Sequence, residues 1–595
     1  MNGDARLGRR RERVSVACEG AVEMARENGP LDTAGSPAWH GSLVSRRTFL
    51  GVAGTTALGA VLAACTGSSG GPTTGGSGGA RIPGDVPGPQ PVSGGTYGGR
   101  IVVGWDDEPI AFGDPPRAWN LLDYDVVTTL VFFGGLLAYE GQLGGPIPNL
   151  AASLPDISQD GLTLTFQLRP DITFHNGRRI EAEDFKWSWE RAIKPGLRGS
   201  WGKGYFSSIV GWDALRSGKA DTLEGVEVID PRTLAIHLSK PDFEILNLMA
   251  LNLSAPIPRE EVERLGNEGF ADMPVGYGPF RIESHDKTGQ TAVFTRFDGY
   301  TWKGLPYVDE VEFRWGLDSG LIVRQLQGGD IDVAGNGIPT SQVSSVLAAP
   351  ATRPLAVEVP VLIPEWVEMN PKVTPFDDVR VRQALNYAVD RDAICKITHS
   401  APFGSPLPKD LPNFPHTFEP YTFDAARARS LLAEAGVEGG FSAQLTFVPS
   451  DAAVAQILQQ QLRVFGVELS LNQVSSNASY ELAVKGDFQM MKTLIYLLQP
   501  TAADLFENVY ATGGYANDVR YSNPEVDALV SEARSLYNEA TRNRLYAKVE
   551  QIVGEDAVGI FLSSARYFGG RSERLQNFHN RGDMGSFYDR MWLQA

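Results

Sequence analysis

A chain of 595 residues, 42% of them hydrophobic and 21% charged, has the make-up of a folded protein with more than one core, not of a disordered or fibrous one. Its 53 Lys and Arg against 71 Asp and Glu leave a formal charge of -18, which repels nucleic acid and anionic lipid head groups and so excludes nucleic acid as a partner. The three cysteines, Cys18, Cys65 and Cys395, lie too far apart to suggest a disulfide framework or a metal knuckle. No metal and no cofactor are expected, and Cys395 reads as a small buried hydrophobe.

The sharpest signal lies at residues 45–65, SRRTFLGVAGTTALGAVLAAC. Arg46 and Arg47 precede an apolar run from about Phe49 to Ala64, shorter than the roughly 20 residues that a bilayer span needs. The run is rich in small residues and reads as the hydrophobic region of a signal peptide, to be removed on export. The Ser-Arg-Arg-x-Phe-Leu string resembles a twin-arginine address. Leu62-Ala63-Ala64-Cys65 resembles the bacterial lipobox, in which the Cys65 thiol takes a diacylglycerol. Two acyl chains at ~0.8 kcal/mol per buried CH2 suffice for stable anchoring where one does not. Residues 1–44 are longer than a usual leader; they read as an extension from a misassigned start codon and carry no fold argument.

Residues 65–95 are dominated by Gly, Ser, Thr and Pro, cannot bury apolar surface, and read as a flexible tether. Gly75 to Gly79 matches the Gly-x-Ser-x-Gly string of serine hydrolases, but that motif has meaning only on a strand-to-helix turn. The folded body starts near Gly95, with Arg100 to Trp105 as its first strand. Leu162 to Leu168 alternates with period two, and Asn176-Gly177 marks a turn. Glu181 to Ile193 is a helix opened by acidic residues. Val226 to Leu238 is a hairpin around Asp230-Pro231. Ala292 to Phe297 and Val308 to Trp315 add strands.

From about residue 377 the pattern turns mainly helical. Val381, Ala384, Leu385 and Ala388 share one helix face behind Asp377 and Asp378. Asp424 caps a helix that runs through Ala435 and stops at Gly436, and Asn523-Pro524 open another with Val526, Leu529, Val530 and Ala533 as its buried stripe. Strands alternating with helices imply an α/β protein. No internal repeat appears.

These residues resemble a known family. Asn149 to Glu190, NLAASLPDISQDGLTLTFQLRPDITFHNGRRIEAEDFKWSWE, is similar to a stretch of the family 5 extracellular solute-binding proteins, which include the oligopeptide- and dipeptide-binding proteins of ABC importers. Val275 to Phe280 (VGYGPF), Gly329 to Val333, Pro375 to Asp392 (PFDDVRVRQALNYAVDRD), Gly486-Asp487-Phe488 and Tyr521 to Ala528 follow in the family's order. The resemblance covers about residues 95–565.

It implies a two-lobed periplasmic-binding-protein-like (class II) fold with hinge strands. Lobe 1 is expected at 96–335 with an inserted subdomain at about 119–244, lobe 2 at 336–550, and a C-terminal segment 551–595 returning to lobe 1. Hinge closure would bury a solute between the lobes. It further implies an ABC permease and ATPase as partners, a monomer, and a location on the outer face of the cell membrane, in the periplasm or cell-wall space.

Ligand candidates by position in the family pattern come from four places. They are the loop with Trp105, Asp106, Asp107 and Glu108; the strand with Glu365, Trp366 and Asn370; the loop near Phe403; and the segment Ile495 to Asp504, with Tyr496 and Asp504. Trp366 has the alternative of packing inside a lobe, and Asp106 to Glu108 that of a solvated loop. Peptide-binding relatives carry Gly-Trp-x-Ala-Asp in the Leu494 to Asp504 stretch, where the aspartate pairs with a peptide's ammonium group. Register from Gly486-Asp487-Phe488 sets Ile495 at the tryptophan and Leu498 at the aspartate. A buried ammonium without counter-charge costs several kcal/mol, so short peptides are expected to bind weakly or not at all. Either Asp504 restores the charge from a shifted position, or the ligand lacks an amine, as an oligosaccharide or another neutral organic solute does.

The seven histidines stand singly, without His-Glu-x-x-His spacing, and no P-loop or dinucleotide fingerprint follows a strand, which argues against an exported hydrolase or other enzyme. His175 reads as lining a turn. A solute-sensing lipoprotein without a transport role would use the same cleft.

Overall fold

The computed structural model describes residues 91–118, 121–139, 144–197, 205–359, 361–497, 499–514, 516–581 and 585–594. The leader at 1–44, the signal peptide at 45–64, Cys65, most of the tether and Leu498 lie outside the described residues.

Two large sheets organise the fold. The first has seven strands in the order Ala356–Val359, Tyr567–Arg571, Val333–Ala334, Arg100–Gly104, Glu310–Arg314, Thr291–Arg296, Phe280–Asp286. Arg100–Gly104 runs parallel to both Glu310–Arg314 and Val333–Ala334, and the outer pairs are antiparallel. The second has six strands, Ala401–Pro402, Gly559–Ser564, Pro364–Met369, Met490–Leu494, Phe441–Phe447, Val467–Gln473. A four-stranded sheet, Asp156–Ile157, Thr163–Gln167, Thr233–His237, Val226–Asp230, falls inside residues 119–244 and shares its apolar core with the first large sheet: Leu164, Ile236 and Trp189 pack in one cluster with Val103 and Phe313.

The second sheet is sandwiched. Strand alternation sends Val367 and Met369 to one face, where they pack with Val381, Leu385, Leu445 and Leu458, and Trp366 to the other, with Phe506, Tyr546 and Phe561. Helices do predominate from residue 377 onward, and they pack on this sheet. Phe441–Phe447 does alternate, with Ala443 and Leu445 inward and Ser442 and Gln444 outward, whereas Gly559–Ser564 is buried throughout and carries no period-two signal.

Local signals set the element ends. Glu181 and Asp184 form a reciprocal capping box on Ala182–Ile193, and Asp378, Asp424 and Asn523 each accept a backbone N–H at the start of their helices. The His175 ring, half-buried beside the Asn176-Gly177 turn, hydrogen-bonds the Gly278 carbonyl at 3.1 Å.

The chain changes sheets twice. Val359 ends a strand of the first sheet and Pro364 begins one of the second; Ser564 ends in the second and Tyr567 begins in the first. The two crossings run side by side, with Ala565 N donating to Ile363 O at 2.9 Å. The sheets therefore divide near 360 and 565, not at 336 and 550. Ala356–Val359 reaches the first sheet through a strand more than two hundred residues further on, Tyr567–Arg571.

Candidate functional site

Parallel pairing of Arg100–Gly104 with its two neighbours brings three carboxyl ends to one edge of the first sheet, the place where open α/β sheets hold ligands. Trp105 to Asp107, Trp315 to Leu317 and Gly335-Asn336 meet there. Leu317 N donates to Trp105 O at 2.9 Å, Gly335 N to Gly104 O at 2.8 Å, and Gly316 N to Asp107 O at 3.3 Å. The Asn336 amide donates to Asp106 Oδ1 at 2.6 Å and to Asp107 Oδ2 at 3.2 Å, which ties two carboxylates into one polar floor.

Trp105 is 1% exposed, tilts against Phe313 at 5.8 Å between centroids, and lies flat on Gly335. A methyl group at Gly335 would sit 2.3 Å from the indole, so this close approach needs glycine. The Trp105 indole N–H is buried without a hydrogen-bond partner.

Tyr567, the first residue after the second crossing, joins the floor to the other lobe. Its hydroxyl approaches Gly335 O at 3.5 Å. Burial holds its ionisation well above the usual phenol range, and the nearby Asp125 carboxyl, Tyr496 hydroxyl and Asp106 carboxyl push the same way. Tyr496 comes from the second lobe yet packs, half-buried, on the first lobe's core. Below them Asp125 is 1% exposed, accepts from Ser586 N at 2.6 Å and from Tyr588 Oη at 2.5 Å, and is pushed up to about 8 by burial.

The structure thus brings Asp106 and Tyr496 near Tyr567 and ties Asp107 to Asp106 through Asn336, with Glu108 exposed on the same loop and Trp105 buried in the first lobe's core. Sequence reasoning missed Asn336 and Tyr567. The flanking glycines of Gly335-Asn336-Gly337 were the one local hint of a close approach.

The remaining candidates sit elsewhere. Glu365 is buried; Ser400 Oγ and Ser563 Oγ donate to its Oε2 at 3.0 and 2.8 Å, and the Lys492 ammonium lies 3.4 Å from its Oε1. Trp366 is 4% exposed in the second lobe's core, against Gly559, which realises its packing alternative. Asn370 follows the far end of the same strand, roughly 16 Å from Glu365 at the usual rise, and pins a loop by donating to Gly486 O at 3.2 Å and Phe488 O at 3.0 Å. The Phe403 ring meets His416 edge-on at 5.5 Å, and Asp504 accepts from the Asn508 amide at 2.9 Å.

Two lobes joined by a pair of adjacent crossings are the architecture of proteins that close around a small solute. Residues 145–517 match the profile described as bacterial extracellular solute-binding proteins, family 5 Middle. The chain belongs to that family and is a solute-binding protein of the ABC importer class. It is 30% identical over 493 residues to the glutathione-binding protein GsiB of Pectobacterium atrosepticum, covering 80% of this chain and 91% of that one. Against GsiB of Escherichia coli strain K12 the identity is 26% over 497 residues, 81% of this chain and 92% of that one. Among solved structures, HbpA2 from Haemophilus parasuis superposes with a TM-score of 0.73 at 22% identity, over 84% of this chain and 100% of that one. The unliganded open form of the periplasmic murein tripeptide-binding protein MppA gives 0.72 at 22% identity, over 84% and 99%. These likenesses fix the two-lobed fold.

Proposed function

We propose that the chain is a lipoprotein, anchored through Cys65 to the outer face of the cell membrane, that captures a compact organic solute between its lobes and hands it unchanged to an ABC permease and its ATPase. The observation that carries the capture reading is the convergence of Asp106, Asp107, Asn336 and Trp105 at three strand ends, beside Tyr567 at the crossing and Tyr496 from the facing lobe. Half-exposed Asp106 and Asp107, linked by the Asn336 amide, with the half-exposed Tyr496 ring near Asp106 by way of Tyr567, are a set suited to holding hydroxyl, amide or amine groups. Nothing in this arrangement pairs a nucleophile with a base, which supports binding without turnover.

Two opposed supports bear on the substrate class. The family register, with Leu498 at the amine-pairing position, favours a neutral solute such as an oligosaccharide. The relatives named for glutathione favour a small peptide-like molecule carrying its amine on a side branch. Calorimetric titration with glutathione, a di- to pentapeptide series and an oligosaccharide series separates them. Micromolar or tighter binding of an ordinary short peptide would overturn the neutral-solute reading, and turnover of any bound compound would end the binding-protein one. For the anchor, Cys65→Ser should move the protein from the membrane fraction to the soluble one with its thermal stability unchanged; retention on the membrane refutes lipidation there.

A further inference from the structure

Besides the two covalent crossings, the lobes meet through side chains at a third place. Ile245, Leu246 and Met249 are buried in the first lobe's core with Val103, whereas Leu505, Phe506 and Tyr546 are buried in the second lobe's core with Trp366. Between these cores Arg534 of the second lobe grips Asp242 of the first through both carboxylate oxygens, Nε to Oδ1 and Nη2 to Oδ2, each at 2.9 Å. The Asp242 side chain is 1% exposed. The remaining guanidinium nitrogen of Arg534, Nη1, contacts Glu507 of its own lobe. One cation therefore bridges carboxylates on the two lobes.

Neighbouring contacts cross the same boundary. Phe243 N donates to Arg534 O at 2.9 Å, the Tyr537 hydroxyl donates to Gly161 O at 3.2 Å, and the Arg542 guanidinium lies 3.3 Å above the Phe243 ring. The charge arrangement is lopsided. Glu244, whose Oε2 accepts from Thr501 Oγ1 at 3.5 Å, adds a second acid on the first lobe's side, and Asp504 lies near Glu507 on the other. With Arg534 removed, Asp242 would lose its bidentate partner while Arg542 still faced Glu244, so the contact would weaken without losing every cation.

We propose that Asp242 and Arg534 form an interlobe clasp, which holds the lobes together in the ligand-free protein and must open for the cleft to open. Its interest rests on the solute-capture reading: because a ligand can enter only the open form, the clasp sets how much of the protein is competent to bind. Arg534 is a positioning residue, with no contact to the floor around Tyr567.

The test measures the lobe-to-lobe distance directly, without ligand. Spin labels are placed at Ile229→Cys in the first lobe and Val464→Cys in the second, both exposed, in the full chain with Cys18 and Cys65 changed to Ser. Cys395, 5% exposed, stays. Pulsed electron paramagnetic resonance should give a narrow distance distribution for the otherwise unaltered chain and a longer, broader one for Arg534→Met. The swap Asp242→Arg with Arg534→Asp should restore the short distance. An unchanged distribution in an Arg534→Met protein that melts cooperatively overturns the clasp, as does a lengthening that the swap leaves in place. Should Arg534→Met fail to fold, Asp242→Asn is read by the same two criteria. No solute is present, so failure here leaves the capture reading standing, and a failed titration leaves these distances as they are.

Discussion

Replacing Asp125 with asparagine should remove one source of the protein's sensitivity to rising pH. The carboxyl is 1% exposed beneath the C-terminal segment and is pushed up to about 8 by burial, against about 4 in an unfolded chain. The folded state therefore keeps a proton that the unfolded state releases. Stability from this group is complete below about pH 4, falls through the neutral range, and is lost above about pH 8. The slope for one proton is about 1.4 kcal/mol per pH unit, so the loss between pH 5 and pH 7 is roughly 3 kcal/mol. Asparagine mimics the protonated form: its Oδ1 takes the Ser586 N–H, and its amide donates to Tyr588 Oη. Other buried acids, Glu507 among them, titrate identically in both proteins and cancel in the difference. Urea unfolding followed by tryptophan fluorescence at pH 5, 6, 7 and 8 should show an advantage for Asp125→Asn that is smallest at pH 5, about 1.4 kcal/mol, and grows with pH. A difference that stays constant across the series would refute a protonated Asp125.

Lys492 is 1% exposed between Glu365 at 3.4 Å and Asp451 at 3.8 Å, so Lys492→Met should cost about 3–5 kcal/mol by stranding two buried carboxylates. Adding Glu365→Gln should recover part of that loss in the same unfolding assay. Gly585 has φ +103 and a methyl there would lie 1.6 Å from Asp125 Oδ1, so Gly585→Ala should destabilise by about 2 kcal/mol or more, seen as a lowered melting temperature.

What the sequence disclosed was local. The Asp230-Pro231 hairpin, the Asn176-Gly177 turn with Gly177 at φ +87, and the caps at Asp378, Asp424 and Asn523 each depend on residues within four positions of one another. The second large sheet was hidden because helical stripes around it are stronger, and because a strand buried on both faces, such as Gly559–Ser564, loses its alternation. The floor was half legible. Trp105 to Asp107 follow the first strand and could be placed by family position, but Asn336 and Tyr567 join them only through sheet order. Trp366 and Asn370 carry the residue types of a binding wall; strand alternation and strand length, invisible without the partner strands, put one in a core and the other on a loop.

The strand Tyr567–Arg571 is inserted between Val333–Ala334 and Ala356–Val359, two strands made more than two hundred residues earlier. During synthesis the first lobe therefore waits with Val333–Ala334 as an open sheet edge, its backbone donors and acceptors on that side unpaired, and with Ala356–Val359 lacking its sheet partner. Pairing across so long a separation is slow and exposes sticky edges to other chains. A ribosome that stalls before residue 567, or a protease that trims the last thirty residues, leaves an aggregation-prone fragment instead of a smaller working lobe.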